Sequence, residues 1–207
     1  MHEGLLPLFP LQVVLFPGAD LPLHIFEERY KEMIGEVLRD RVEFGVVLAS
    51  EKGVVNAGCT ATVDKVLRRY PDGRLDILTR GRRRFEILRL NDERAFLRGS
   101  VEFFDDDASE PPPAEILKLA VDGYNEMQHL LSEAGLPEQD AANPQLSFRL
   151  AQEIPDLALR QMLLTTRNET DRLRHLAGFF PGYLQKQRQM QRVRDLAPRN
   201  GHGRSHE

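Results

Sequence analysis

The sequence predicts an α+β protein, and three observations carry that reading. Short apolar runs rich in valine, threonine and phenylalanine fill the first half of the chain, with turn residues between them. Such side chains suit a pleated, half-buried surface. Beyond Pro113 the apolar residues recur at helical spacing instead. Between the two lies DDDASEPPP, Asp105 to Pro113, whose acids and prolines cannot pack into a core and read as a semi-rigid linker. The expected organisation is a β-rich unit over 1–105, a linker over 106–113, a helical unit over 114–196 and a polar, aperiodic tail over 197–207.

The opening, GLLPLFPLQVVLFPGADLPLHIFEERY, has no charge from Gly4 to Ala19. A secretory signal wants Lys or Arg before its apolar core, and Met1-His2-Glu3 supplies neither. A membrane span needs about 18 or more apolar residues, and Pro7, Pro10 and Pro17 would each break a helix. Two short strands remain, with Val13 to Phe16 on a buried surface. Pro17-Gly18 fits a type II turn, Pro first and Gly second where φ is positive. A helix then starts at Glu27, with Tyr30, Met33, Ile34, Val37 and Leu38 on one face.

Val42 to Ala49 reads as a buried strand, and Cys59 to Tyr70 as a second. Pro71 to Arg74 is turn chemistry. LDILTRG, RRFEILRL and AFLRGSVEFF then read as three strands, parted by Gly81 and by Asn91-Asp92-Glu93. In the second half, Leu117, Ala120, Val121, Tyr124, Met127 and Leu131 form a helical stripe that Gly135 can stop. Asn143-Pro144, Pro155-Asp156 and Asn168 are helix starts. Phe179-Phe180-Pro181-Gly182 is expected to break or bend the last helix.

Hydrophobic residues make up 41% and charged residues 29%, as in ordinary globular proteins. The net charge of −4 argues against a whole-molecule polyanion binder, though not against a local basic patch. A single cysteine, Cys59, excludes an internal disulfide, and with no export signal a cytoplasmic location is the simplest inference. No G-x-S-x-G elbow is present. Cys59 has no basic neighbour in sequence and reads as a packing residue rather than a nucleophile. His24 with Glu27 lacks further metal ligands, and His202 and His206 sit in the loose tail, so no metal or other cofactor is expected. Asn168-Glu169-Thr170 fits the glycosylation pattern, which without export carries no meaning.

Several stretches together resemble the N-terminal, substrate-binding domain of Lon proteases. They are Leu6-Pro7-Leu8-Phe9-Pro10, Val14-Leu15-Phe16-Pro17-Gly18, and Leu21-Pro22-Leu23-His24-Ile25-Phe26 with Glu27, Arg29 and Tyr30. Gly45-Val46, Gly58-Cys59-Thr60-Ala61, Asp72-Gly73-Arg74, and Gly81 to Phe85 extend the likeness. It runs more loosely into LLTTRNETDRLRHL. The resemblance implies a PUA-like β pseudobarrel with an inserted helix, followed by a helical subdomain. It also implies recognition of polypeptide substrates and a part in oligomer assembly. In Lon an ATPase and a Ser-Lys protease follow this domain. Here no G-x-x-x-x-G-K-[ST] phosphate loop occurs, and the chain ends before a protease domain could fit. The expectation is a non-enzymatic binding module whose partners are unfolded or hydrophobic polypeptide and further copies of itself, with no membrane role.

The expected peptide surface is a cleft between the β unit and the helices, with Phe16, Leu23, His24, Phe26 and Tyr30 as candidates, though each could equally be core. The rival is RNA. From Thr62 to Arg98 there are eleven basic residues against six acidic ones, and Arg80, Arg82, Arg83 and Arg84 are the candidate phosphate contacts. The bland reading of these arginines is a solvated strand face that blocks edge pairing. The stretch also lacks the interleaved aromatics of a base-stacking platform.

Overall fold

The computed structural model describes residues 4–51, 53–131, 143 and 145–196. The expectations for Gly135, Pro144 and the tail fall outside that range. The elements in chain order are strands β1 (Leu6–Leu11) and β2 (Asp20–Ile25), helix α1 (Glu28–Asp40), and strands β3 (Phe44–Ser50), β4 (Gly53–Arg69), β5 (Leu75–Asn91) and β6 (Arg98–Phe104). Helices α2 (Ala114–Leu131), α3 (Leu146–Ala151), α4 (Leu157–Thr165) and α5 (Glu169–Leu196) follow. The chain divides into two compact units. One comprises Met1–Ala108 and Ala151–Arg167, the other Ser109–Leu150 and Asn168–Glu207.

In the first unit the strand order is β2-β5-β4-β3-β1-β6, and β6 pairs back onto β5. Five strands therefore close into a barrel, and β2 lies outside it on the first half of β5. The β1–β3 pair is parallel and the other pairs are antiparallel. Leu8, Val47, Phe85 and Ile87 pack together inside. Prolines are expected only where a ladder is one-sided, yet β1 has neighbours on both sides. The register resolves this: Leu6 and Pro7 pair with β6, whereas Leu8 to Leu11, including Pro10, pair with β3.

The structure changes the reading of the opening. The first strand is the proline-bearing Leu6–Leu11, not Val13 to Phe16. Val14, Leu15 and Phe16 are buried loop residues. The turn after them forms as expected: the Ala19 amide donates to the Phe16 carbonyl at 3.1 Å, and Gly18 has φ of 75°. The two strands read on either side of Gly81 are one strand, β5, of 17 residues. Gly81 lies inside it because the chain crosses there. A Cβ at Gly81 would sit 2.1 Å from the Phe16 carbonyl oxygen.

Helix α1 begins after Glu27 as expected and buries Tyr30, Met33, Ile34 and Val37. Arg94 ties it to the loop before β6 through Glu32 and Glu36. Helix α4 is capped by Asp156, which accepts from the Leu159 amide at 2.9 Å. It docks on the barrel through Arg160, which donates to the Val14 carbonyl at 2.7 Å, and Gln161, which donates to the Ala57 carbonyl at 3.0 Å.

In the second unit α2 and α5 lie side by side, with Ala120, Tyr124 and Met127 buried from one and Leu173, Leu176, Phe180 and Leu184 from the other. Asn168 caps α5 by accepting from the Asp171 amide at 3.1 Å. Of the break or bend expected at Pro181, the break does not occur: α5 stays helical for 28 residues through it. Proline has no amide to donate to the Ala177 carbonyl, and Phe180 and Leu184 on either side of it are buried.

Candidate functional site

A broad apolar concavity of the first unit lies at one mouth of the barrel. On β6, Val101 pairs with Ile87 and Phe103 with Phe85. Residues directly opposite in a ladder share a face, so these two side chains continue the barrel interior outward. With Leu5, Leu6, Val42 and Leu88 they line a groove of about 690 Å³. Val42 is 46% exposed, Leu88 64% and Phe103 43%. Isolated exposed apolar side chains are ordinary, but a contiguous group of them marks an interaction surface. One wall carries charge: the Arg83 guanidinium lies 3.8 Å from the Phe103 ring centroid and donates to Glu43 at 3.2 Å. Sequence reasoning missed this groove. Its residues come from four separate segments, and the available signal was slight. Ile87-Leu88 and Phe103-Phe104 put apolar residues on both faces of a strand that should alternate.

The sequence-derived peptide candidates separate into two groups. Phe16 and Tyr30 are buried, and the Tyr30 ring lies against Phe9, tilted by 32° at 4.1 Å between centroids; burial raises the Tyr30 pKa. Both pack the core. Leu23, His24 and Phe26 instead lie together at the surface where β2, β5 and β4 form a three-stranded platform beyond the barrel. His24, Asp76 and Arg68 form one row across it. His24 Nδ1 lies 2.5 Å from Asp76 Oδ1, and the Tyr70 hydroxyl donates to Asp76 Oδ2 at 2.8 Å. These hydrogen bonds, His24 first and Tyr70 second, lower the Asp76 pKa. The His24 ring stacks on Phe26 at 5.8 Å. Beside them Pro22, Leu23 and Leu67 line a shallow hollow of about 390 Å³.

The four arginines of the polyanion reading have different surroundings. Arg80 bonds Asp20 at 2.9 Å and also faces Asp64. Arg83 is held by Glu43. Arg82 is exposed. Arg84 is buried: it donates to the carbonyls of Leu164 and Thr166 at 3.1 and 3.0 Å and to Asp106 at 2.6 Å. It thereby satisfies the C-terminal carbonyls of α4, where a cation also complements the helix dipole, and it cannot reach a phosphate. Cys59 is buried, and desolvation pushes its thiol up to about 12, so it is protonated at neutral pH. Among the described residues no group of three or more His, Cys, Asp or Glu side chains could hold a metal ion, and no helix is long and apolar enough to cross a membrane.

Comparison with known proteins settles the family. Residues 5–181 match the model of the "ATP-dependent protease La (LON) substrate-binding domain". The chain belongs to this family. A Lon N-terminal domain protein from Xanthomonas campestris superposes with a TM-score of 0.70 at 29% identity, covering 86% of this chain and 99% of that one. The N-terminal domain of a Lon protease from the Mycobacterium avium complex gives 0.60 at 18% identity, with 86% and 98% covered, and shares the fold. Among curated relatives, Lon protease 2 of Syntrophobacter fumaroxidans is 27% identical over 93% of this chain. Lon protease of Parabacteroides distasonis is 30% identical over 49% of it. The chain spans only 27% and 13% of the length of those two proteins. The α+β expectation holds for this LON domain: a mixed six-stranded sheet with its helix α1 inserted, and a helical C-terminal part.

Proposed function

We propose that this LON domain binds polypeptide segments through the groove at the barrel mouth and performs no ATP hydrolysis or peptide cleavage itself. The observation that carries the reading is the contiguous apolar surface of Val42, Leu88 and Phe103, continuous with the barrel core and bordered by one ion pair. Ligand sites favour the mouths of β-barrels and combine apolar walls with a few fixed polar groups. The Arg83–Glu43 pair offers a donor and an acceptor to a passing main chain while Leu88 and Phe103 cover apolar side chains. Membership of a family defined by substrate binding supports polypeptide as the ligand class.

The test is titration of a fluorescent apolar peptide into the chain and into Leu88→Ser/Phe103→Ser. Burying one large apolar side chain stabilises by about 1.5–3 kcal/mol, so the double variant should bind at least about tenfold more weakly. Binding should be nearly independent of salt and show a negative heat-capacity change. Equal binding by the variant would refute the groove, and ATP-dependent cleavage of an unfolded protein by the pure chain would refute the non-catalytic reading.

A further inference from the structure

We infer that the barrel-mouth groove takes its polypeptide as an added strand, paired antiparallel to the unpaired edge of β6, and selects segments that alternate apolar and basic residues. This mode of binding rests on the groove being the polypeptide site proposed above; it adds how the ligand is held and which sequence class fits.

Strand β6 runs from Arg98 to Phe104, but β1 pairs only with its beginning, Pro7 with Arg98 and Leu6 with Gly99. Because β1 starts at Leu6, no strand among the described residues lies against β6 beyond Gly99 on that side. The direction of the main-chain groups follows from one bond: the Leu8 amide donates to the Leu97 carbonyl at 2.8 Å. Residues of an antiparallel strand turn their N–H and C=O groups to alternate sides. Gly99, Val101 and Phe103 therefore turn theirs to the β1 side, and Ser100, Glu102 and Phe104 turn theirs to β5. Val101 and Phe103, which both line the groove, thus offer it two donors and two acceptors. Beside them the register of β5 shifts between Ile87 and Arg89. Leu88 is the extra residue of that bulge, a device found where strand pairing ends beside a site.

An extended main chain is the ligand that matches such an edge. In antiparallel register its residues opposite Val101 and Phe103 share their face and enter the apolar groove. The residue between these two stands opposite Glu102, and that position calls for Lys or Arg. Glu102 is exposed and sits across the ladder from Glu86. Glu86 faces Arg167 at 3.4 Å, whereas among the described residues Glu102 has no ion pair. The same carboxylate argues against two other strands. A second copy pairing its β6 here, Val101 against Phe103, would set Glu102 against Glu102. Extending the β1 register by sequence would set Glu3 there. Like charges directly opposite one another are destabilising. A nucleic-acid strand carries no main-chain amides to fit the edge.

The experiment uses the full chain and a fluorescent peptide alternating Val and Lys, with Val at both ends. Two derivatives carry N-methyl groups, one on its inner Val residues and one on its Lys residues. A third has Glu for Lys. Binding is read by fluorescence anisotropy, and amide exchange of β6 by nuclear magnetic resonance. In the free chain the Val101 and Phe103 amides should exchange faster than those of Ser100, Glu102 and Phe104, and the Val-Lys peptide should slow them. Methylation on Val removes the donors that face β6 and should weaken binding at least about tenfold. Methylation on Lys, whose amides face away, should change it less than about twofold. The Glu peptide should bind severalfold more weakly, and Glu102→Lys should reverse that order. Three results overturn the added strand: equal effects of the two methylations, Val101 and Phe103 amides already protected in the free chain, or equal binding of the Lys and Glu peptides. If Leu88→Ser/Phe103→Ser weakens binding while the methylated peptides bind alike, the groove stands and the added strand falls. If that variant binds the parent peptide unchanged, both fall.

Discussion

Arg84 in the barrel unit and Arg172 in the helical unit are both buried cations bonded to a carboxylate, but the groups left behind without them differ. Arg172 donates to Ser147 Oγ at 2.7 Å and to Glu169 Oε2 at 2.6 Å, and its guanidinium lies over the Phe148 ring. Glu169 also accepts from the Ser147 amide and hydroxyl. The network joins α3 to the start of α5, and the Glu169 side chain is only 12% exposed. Arg84 bonds two carbonyls and Asp106, whose side chain is 31% exposed. Removing a buried cation is costly chiefly through the partner it strands. Water can reach Asp106 far more readily than Glu169, so the two arginines should carry different weights at similar burial.

The largest expected effect is therefore at Arg172. Arg172→Ala should destabilise the chain by about 3–5 kcal/mol, the range for a broken buried ion pair. Denaturant unfolding followed by far-ultraviolet circular dichroism would read it. Adding Glu169→Gln to the variant should restore part of the loss, because the stranded charge goes. A cost below about 1 kcal/mol, within the range of an exposed pair, would break the comparison.

Arg84→Gln should cost less, about 1.5–3 kcal/mol, the range for hydrogen bonds to a charged group. The loss should fall on α4, so hydrogen exchange should rise in Leu157–Thr165 before it rises in the barrel strands. A cost equal to that of Arg172→Ala would show that partner exposure is not the deciding variable.

These two arginines also mark how far the sequence could be read. The strand-rich first half, the turn at Pro17-Gly18, the start of α1 and the caps at Asp156 and Asn168 were legible, because each rests on local chemistry. From the sequence Arg84 reads as a surface charge, since nothing near it in the chain shows that Leu164 and Asp106 converge on it. Pro181 reads locally as a break or bend, because its cost is visible in the sequence and the burial of Phe180 and Leu184 beside it is not. The split of β5 at Gly81 failed for the same reason: the glycine answers to the Phe16 carbonyl, 65 residues away by number. The barrel-mouth groove assembles Leu6, Val42, Leu88 and Phe103 by topology alone, and single-residue properties do not encode it.

The smallest expected effect completes the comparison at an exposed arginine. Arg80 lies on the outer face of the platform with Asp20 at 2.9 Å and Asp64 at 3.4 Å, and all three side chains are at least a third exposed. Hydrogen bonding to Asp20 raises the arginine pKa, with the charges of Asp20 and Asp64 adding to it, so the cation is present at every working pH. Its neighbours are solvated already, and removing it strands no buried charge. Exposed pairs contribute little to stability. Arg80→Gln should therefore lower the urea midpoint only slightly at low salt, less than either buried arginine, and not measurably at 1 M salt, where the screening length falls to about 3 Å. Unfolding of both proteins in urea at low and high sodium chloride gives the two differences directly. A loss as large as that of Arg84→Gln, persisting at high salt, would mean that Arg80 acts as Arg84 does, through groups water cannot reach. Exposure of the partner would then no longer rank the three arginines.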